Sequence, residues 1–209
     1  MKKLIVLNDL DTDSDGVDLE TLKNFNVPIA TAVNGIIKYT QPKLSELINL
    51  FAEADVLLCN ISAVENLLRV NLKCYQDIPA AAQRLLEFGA KSVLIKAGQL
   101  KKDFFCQDYW SHQEESFWIA TPRLEHTVVK KDIFSTAIVA CLVRNYSIKD
   151  AIVIARMYLQ RGLRRAYTEQ QTQKFFHGGW PEEQADLPYL SNEPLVRLPQ
   201  VFKPCEQVY

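Results

Sequence analysis

Residues 124–142 run Leu-Glu-His-Thr-Val-Val-Lys-Lys-Asp-Ile-Phe-Ser-Thr-Ala-Ile-Val-Ala-Cys-Leu, a loop that feeds straight into an apolar helix. A helix N-terminus presents unpaired backbone N–H groups and the positive end of the helix dipole, so a loop in that place suits phosphate or another anion. Glycine normally lets the backbone approach such an anion closely, and this loop contains none. Asp132, at the junction, is a preferred helix cap and is stabilised there by the dipole.

A second cluster of chemistry-bearing residues is Asp11-Thr-Asp-Ser-Asp-Gly16, which satisfies the first half of a calcium loop of the D-x-D-x-D-G kind. Asp11, Asp13 and Asp15 are therefore candidate ligands for calcium or magnesium. The second half of the pattern fails, because the bidentate glutamate position holds Leu22 and an apolar position holds Asp18. Asp18 and Glu20 offer an irregular completion, and a solvated acidic turn between a strand and a helix is the plainer reading. His112, His126 and His177 are dispersed without metal-ligand spacing. The cysteines, Cys59, Cys74, Cys106, Cys141 and Cys205, are odd in number and form no C-x-x-C pair, which disfavours a disulfide framework or zinc site and fits a reducing cytoplasm. No G-x-S-x-G or P-loop signature occurs, so serine-hydrolase and Walker-type mechanisms have no support.

The elements that must position these residues follow from length and patterning. A chain of 209 residues, 48% hydrophobic, supports one sizeable core, expected over residues 1–177, with residues 178–209 as an extended, proline-containing tail or linker. A formal charge of -1 gives no electrostatic footprint for nucleic acid or a membrane surface, which leaves small molecules as the expected partners. The N-terminus opens like a signal peptide but meets Asn8 and Asp9 too early, and reads as a first buried strand.

Short apolar runs alternate with helical periodicity: strands at 4–7, 29–33, 56–59 and 92–95, and helices at 18–25, from Pro42, and from Pro79 to a Gly89 cap. This β-α-β order predicts a mainly parallel sheet with helices on both faces. Residues 103–119, rich in aromatics, suit an antiparallel edge hairpin. Ile133, Phe134, Ala137, Ile138, Cys141 and Leu142 mark a deeply buried helix, and Ser147 with Asp150 approximates the capping box of a second, amphipathic one. Arg161, Arg164 and Arg165, at the end of that helix, read as partners of its dipole in preference to the alternative, an anion-binding role.

These residues together resemble the hydroxymethylpyrimidine and phosphomethylpyrimidine kinases of thiamine biosynthesis, in the ribokinase-like superfamily. The resemblance is carried in order by Asp18-Leu-Glu-Thr-Leu-Lys-Asn-Phe-Asn-Val27, Ala54-Asp-Val-Leu-Leu-Cys-Asn60 and Glu87-Phe-Gly-Ala-Lys-Ser-Val-Leu-Ile-Lys-Ala-Gly-Gln-Leu100. Phe134-Ser-Thr-Ala-Ile-Val-Ala-Cys-Leu142 and residues 147–159 resemble the two closing helices, and Gly178-Gly-Trp-Pro181 with Asp186-Leu-Pro-Tyr-Leu190 resembles the linker of kinase–thiamine phosphate synthase fusions. The resemblance implies a shortened ribokinase-like three-layer α/β/α sandwich. It also implies an ATP- and Mg²⁺-dependent phosphorylation of hydroxymethylpyrimidine or its monophosphate in the cytoplasm, and a thiamine phosphate synthase as partner.

By the same resemblance Asp132 stands where the wider superfamily has a general base, Lys130, Lys131, Lys96 and Gly98 fall beside the ATP phosphates, Asn60 helps organise the metal, and Asp9 or Asp11 meets the pyrimidine. The sequence departs from the family where Asp9-Leu-Asp-Thr-Asp-Ser-Asp-Gly16 replaces a glycine-rich loop and Ala63 replaces a glutamate that Glu65 lies too late to restore. Val129-Lys-Lys-Asp132 replaces a Gly-Thr-Gly-Cys anion hole, and residues 34–41 stand where several further β/α units would be. These departures imply activity that is reduced or lost, with a catalytically inactive pyrimidine- or partner-binding protein as the alternative. The missing units also imply sheet edges open to self-association into a homo-oligomer.

Overall fold

A computed structural model describes residues 4–8, 18–27, 36–40, 51–100, 104–124, 132–169, 172–178 and 186–196. Its framework is a seven-stranded sheet in the order β2-β1-β3-β4-β5-β6-β9. Strands β1 (Leu4–Asn8), β2 (Ile36–Thr40), β3 (Val56–Asn60) and β4 (Ser92–Lys96) are parallel, with Leu4 opposite both Ile36 and Val56. β5 (Phe105–His112) and β6 (Ser116–Pro122) form the expected antiparallel hairpin, and β9 (Tyr189–Ser191) closes that side by pairing antiparallel with β6. A separate small hairpin joins β7 (Tyr167–Glu169) and β8 (Thr172–Lys174).

Helices cover both faces. On one lie α1 (Leu19–Asn24), α4 (Ile133–Val143) and α5 (Ile148–Arg164), packed over Leu4, Val6, Leu58, Leu94, Trp110 and Ile119. On the other lie α2 (Ile61–Leu68) and α3 (Ile78–Glu87), packed over Ile5, Leu57, Cys59, Val93, Ile95 and Trp118. Strands β3 and β4 alternate between two apolar layers, which is why they read as continuous hydrophobic runs. The expected three-layer α/β/α sandwich is therefore the fold observed.

Local chemistry accounts for the helix ends. Asp18 accepts from the Thr21 N–H at 2.9 Å, Asn60 from the Ala63 N–H at 2.8 Å and Ser147 Oγ from the Asp150 N–H at 3.0 Å, each an N-cap. Gly89, just past α3, has φ of +105°, a conformation that glycine adopts without strain. Helix α4 is buried on every side from Ile133 to Leu142, as its missing polar face required. No described helix is long and apolar enough to cross a membrane.

The strand expected at 29–33 and, up to residue 50, the helix expected from Pro42 to Phe51 lie outside the described residues. Within 34–41, expected only as a short connection, Ile36-Ile-Lys-Tyr-Thr40 forms the parallel strand β2, as its β-branched and aromatic content allows. Within the expected tail, residues 186–196 run along the sheet. The Gln107 side chain donates to the Leu195 carbonyl at 2.9 Å and accepts the Leu195 N–H at 2.7 Å, imitating a strand pair beyond β9. Arg161, Arg164 and Asp186 anchor the start of this segment: Asp186 lies 3.5 Å from Arg161 Nη1 and 2.6 Å from Arg164 Nη1, so these arginines act on a carboxylate as well as at the helix end.

The hairpin also dictates one glycine. A Cβ on Gly98 would collide with the Cys106 side chain on the adjacent strand, so the chain leaves β4 through a residue without one.

Two outcomes follow. Gln107→Ala leaves both Leu195 backbone groups without their partner; a loss of about 1–3 kcal/mol in denaturant unfolding is expected, with faster amide exchange across residues 189–195. Gly98→Ala is expected to destabilise by about 1–3 kcal/mol through overpacking, and Cys106→Ala in the same chain to restore most of it; no restoration would mean that the collision is not with the thiol.

Candidate active site at the carboxyl edge of the sheet

The parallel strands β1, β3 and β4 end on one edge in Asn8, Asn60 and Lys96, and the antiparallel hairpin begins and ends there with Phe105 opposite Pro122. Helix α5 runs toward that edge. Its first turn meets the β5–β6 turn at the far end through Lys149 and Glu115, at 2.6 Å, and its last turns reach Pro122, whose carbonyl accepts from Gln160 at 3.0 Å. Helix α4, joined to α5 by a short turn, therefore delivers its N-terminus and Asp132 to the same edge. In an open α/β sheet this edge, near the point where strand order reverses between β1 and β3, is where a binding crevice forms.

Asp132 caps α4: its Oδ1 accepts the Ser135 N–H at 3.4 Å, and its own carbonyl accepts the Thr136 hydroxyl at 2.9 Å. Thr136 Oγ1 in turn accepts the Asp18 N–H at 3.1 Å, which ties the N-termini of α1 and α4 together. Asp18 is buried, and its Oδ2 also takes the Thr21 hydroxyl at 2.6 Å. His177 completes this cluster, with Nδ1 3.0 Å from the Tyr158 hydroxyl and 3.6 Å from Asp18 Oδ2. Burial pushes the Tyr158 phenol up to about 12, so it is a neutral hydrogen-bonding group at physiological pH.

The hairpin side of the edge carries a buried ion pair. Asp108 on β5 lies opposite Lys96 in the ladder and 2.9 Å from Arg156 Nη1, with the Arg156 side chain 6% and that of Asp108 3% exposed. Arg156 also donates to the Cys106 carbonyl and to Thr121 Oγ1, and its guanidinium sits 5.9 Å above the Phe134 ring. Burial pushes the Asp108 carboxyl above the usual carboxylate range, opposed by the charges of Arg156 and Lys96. The turn leaving β4 is held by Arg123, which donates to the Gly98 carbonyl at 2.6 Å.

Of the residues singled out from sequence, Asn60, Lys96, Gly98 and Asp132 thus share this edge. Asn60 and Lys96 are direct ladder partners, and Gly98 follows in the next turn. Asn60 spends its side-chain oxygen on the α2 cap, and Glu65 accepts the Leu72 N–H at 2.8 Å, which fixes the chain after that helix. Asp9, Asp11, Asp13, Asp15, Lys130 and Lys131 lie outside the described residues. Asp18, offered as a metal ligand, is committed to capping α1, while Glu20 is exposed beside Lys23. Among the described residues no group of three or more His, Cys, Asp or Glu could hold a metal ion.

The sequence reading missed Asp108, Arg156 and the grouping of Asp18, Tyr158 and His177. A signal existed for the first two. Asp108 interrupts an aromatic strand, and Arg156 lies four residues after Ile152 on the core face of α5, so both charges were placed where water is excluded. No sequence spacing joins His177 to Asp18, since only the tertiary fold brings them together.

A family model described as phosphomethylpyrimidine kinase matches residues 18–177. The hydroxymethylpyrimidine/phosphomethylpyrimidine kinase of Aquifex aeolicus (strain VF5) is 26% identical over 114 residues, which cover 54% of this chain and 44% of that protein, so the match spans less than half of the relative's length. The pyridoxal kinase of Staphylococcus aureus in complex with AMP-PCP superposes with a TM-score of 0.71 at 14% identity, covering 91% of this chain and 98% of that one. An ADP complex of Bacillus subtilis pyridoxal kinase gives a TM-score of 0.64 at 18% identity, covering 85% and 97%. At such identities these structures establish the fold, a ribokinase-like sandwich, while the family model reaches across α1, strands β2 to β4, the hairpin and both closing helices. The chain therefore belongs to the phosphomethylpyrimidine kinase family.

Proposed function

We propose that this chain is a reduced kinase that transfers phosphate from ATP to hydroxymethylpyrimidine or its monophosphate, in the cytoplasm and at a rate below that of a complete family member. The observation that carries the reading is Lys96. Its ammonium stands at the carboxyl end of a central strand, half-buried, and has no hydrogen-bond or ion-pair partner among the described residues. A half-buried cation with open donors is suited to a phosphate oxygen.

The other donors fit a nucleotide only in part. The Ala63 N–H is taken by Asn60 and the Ser135 N–H by Asp132. ATP, when bound, would supply the transferable phosphoryl group, with Mg²⁺ as its counter-charge. Lys96, with Lys130 and Lys131, holds that anion, and Asn60 and Gly98 line its approach. Asp132, oriented by its cap hydrogen bond, accepts the proton of the pyrimidine hydroxyl, and Asp9 or Asp11 meets the ring. The described residues offer no protein cage for the metal, so no step is assigned to it.

A second reading is favoured by the internal use of those backbone donors. A site whose helix-end amides are already satisfied by its own side chains can bind a pyrimidine or a partner such as a thiamine phosphate synthase without turning over.

The deciding experiment is ADP formation by the purified protein with MgATP, with and without each pyrimidine. Pyrimidine-dependent turnover is expected, falling by about 100-fold or more in Asp132→Asn, which removes the proton acceptor while preserving shape. Lys96→Met is expected to raise the KM for ATP about tenfold. Thermal stabilisation by a pyrimidine with no ADP would select the binding reading, and the absence of both would overturn the two together.

A further inference from the structure

Thr136 places a buried hydroxyl in the first turn of α4, a helix whose other buried side chains, Ser135 apart, are apolar. A hydroxyl in such surroundings needs hydrogen-bond partners, and Thr136 has two. Its hydrogen goes to the Asp132 carbonyl at 2.9 Å, the ordinary back-bond of a helical threonine. Its oxygen also accepts the Asp18 N–H at 3.1 Å, from the head of α1, 118 positions away. The Asp18 carboxylate takes the Thr21 N–H at 2.9 Å and the Thr21 hydroxyl at 2.6 Å, so the residue that grips Thr136 is itself fixed to its own helix. At the other end of the same two helices Arg144, which closes α4, donates at 2.9 Å to the carbonyl of Phe25, which closes α1. Helix α1 therefore lies along α4 and is bonded to it at head and tail.

The head of α4 is where Asp132 stands. Its cap bond from the Ser135 N–H is long, at 3.4 Å, and constrains the carboxylate weakly. The backbone beneath it is held more firmly, because the Asp132 carbonyl takes both the Thr136 hydroxyl and, at 3.2 Å, the Thr136 N–H. We infer that Thr136 is a positioning residue: by accepting the Asp18 N–H it fixes the head of α4 against α1, and so sets the placement from which Asp132 meets the substrate hydroxyl. This rests on the kinase reading above, in which Asp132 is the proton acceptor. Thr136 acts only through Asp132, since its one hydrogen is committed to a backbone carbonyl and its side chain is buried.

The test compares the full chain with three variants. Thr136→Val keeps the shape and removes the hydroxyl, Thr136→Ser keeps the hydroxyl, and Arg144→Met breaks the tail link while leaving the head intact. Thermal stability, amide exchange at Asp18, and kcat and KM with MgATP and the pyrimidine are read for each. In Thr136→Val, exchange at Asp18 should rise about tenfold and kcat should fall about tenfold with the KM for MgATP unchanged, because a small displacement of a proton acceptor acts on the chemical step. Thr136→Ser should restore kcat to within about twofold of the parent. Arg144→Met should lower the melting temperature yet leave kcat within about twofold, which separates loosening of the helix pair from placement of the base. In an Asp132→Asn background, Thr136→Val should lower the residual turnover no further, as expected of two residues that act as one unit. Parental kcat in folded Thr136→Val, or equal losses of kcat in Thr136→Val and Arg144→Met, would overturn the positioning role while the kinase reading stands. A parent chain without pyrimidine-dependent turnover sinks the kinase reading and takes the positioning role with it, whatever the exchange rates show.

Discussion

The Asp108–Arg156 ion pair is the interaction around which the carboxyl edge of this sheet is organised. It sits where the antiparallel hairpin meets the last parallel strand, with both side chains almost wholly removed from water. Breaking such a pair by removing one member costs about 3–5 kcal/mol, because the survivor is left charged in a low-dielectric interior. Its geometry also fixes α5: the guanidinium reaches two neighbouring strands, through the Cys106 carbonyl and the Thr121 hydroxyl, so the helix can take only one depth and one rotation over the sheet. The consequences spread from there. One turn before Arg156 on the helix lies Ile152 in the core, and one turn after it Gln160 meets the end of β6.

Once α5 is set, the remaining parts of the edge follow. Arg161 and Arg164 hold Asp186, which starts the segment that runs back along β6, and Gln107 clasps its far end at Leu195. Tyr158, packed on Phe25 at 5.0 Å between ring centres, carries His177 toward Asp18. Asp18 then joins α1 to α4 through Thr136. A chain of hydrogen bonds and ion pairs therefore connects the three helices of one face to the sheet at the end where Asn60, Lys96 and Asp132 stand. At the opposite end of that layer the described helix–sheet contacts include an exposed pair, Lys149 with Glu115, and surface pairs of that kind contribute little.

The same edge shows how carboxylates can occupy positions that an anion would otherwise use. Asp132 satisfies an N–H at the head of α4, as the Asn60 side-chain oxygen does at the head of α2. A negative group at a helix N-terminus is stabilised by the dipole, yet it also repels a second negative group approaching from outside. The edge thus combines an ammonium with open donors and amides already committed within the chain, and that balance distinguishes it from a glycine-lined cradle.

The sequence by itself determined the layer architecture, because periodicity reports burial locally. The apolar runs at Val56–Asn60 and Ser92–Lys96, the all-round apolar helix over Ile133–Val143, and the caps at Ser147 and Gly89 each depend on neighbours within a few residues, and each was legible. So was the placement of Asn60, Lys96, Gly98 and Asp132 at element ends. Strand β2 and the docking of residues 186–196 were not legible, since a short strand is defined by the ladder that it joins. Tertiary structure alone decided which side chains meet: Asp108 with Arg156 at 48 residues' separation, Gln107 with Leu195 at 88, and Asp18 with Thr136 at 118. Those pairings need long loops to close and buried polar groups to find partners, conditions that no local spacing encodes.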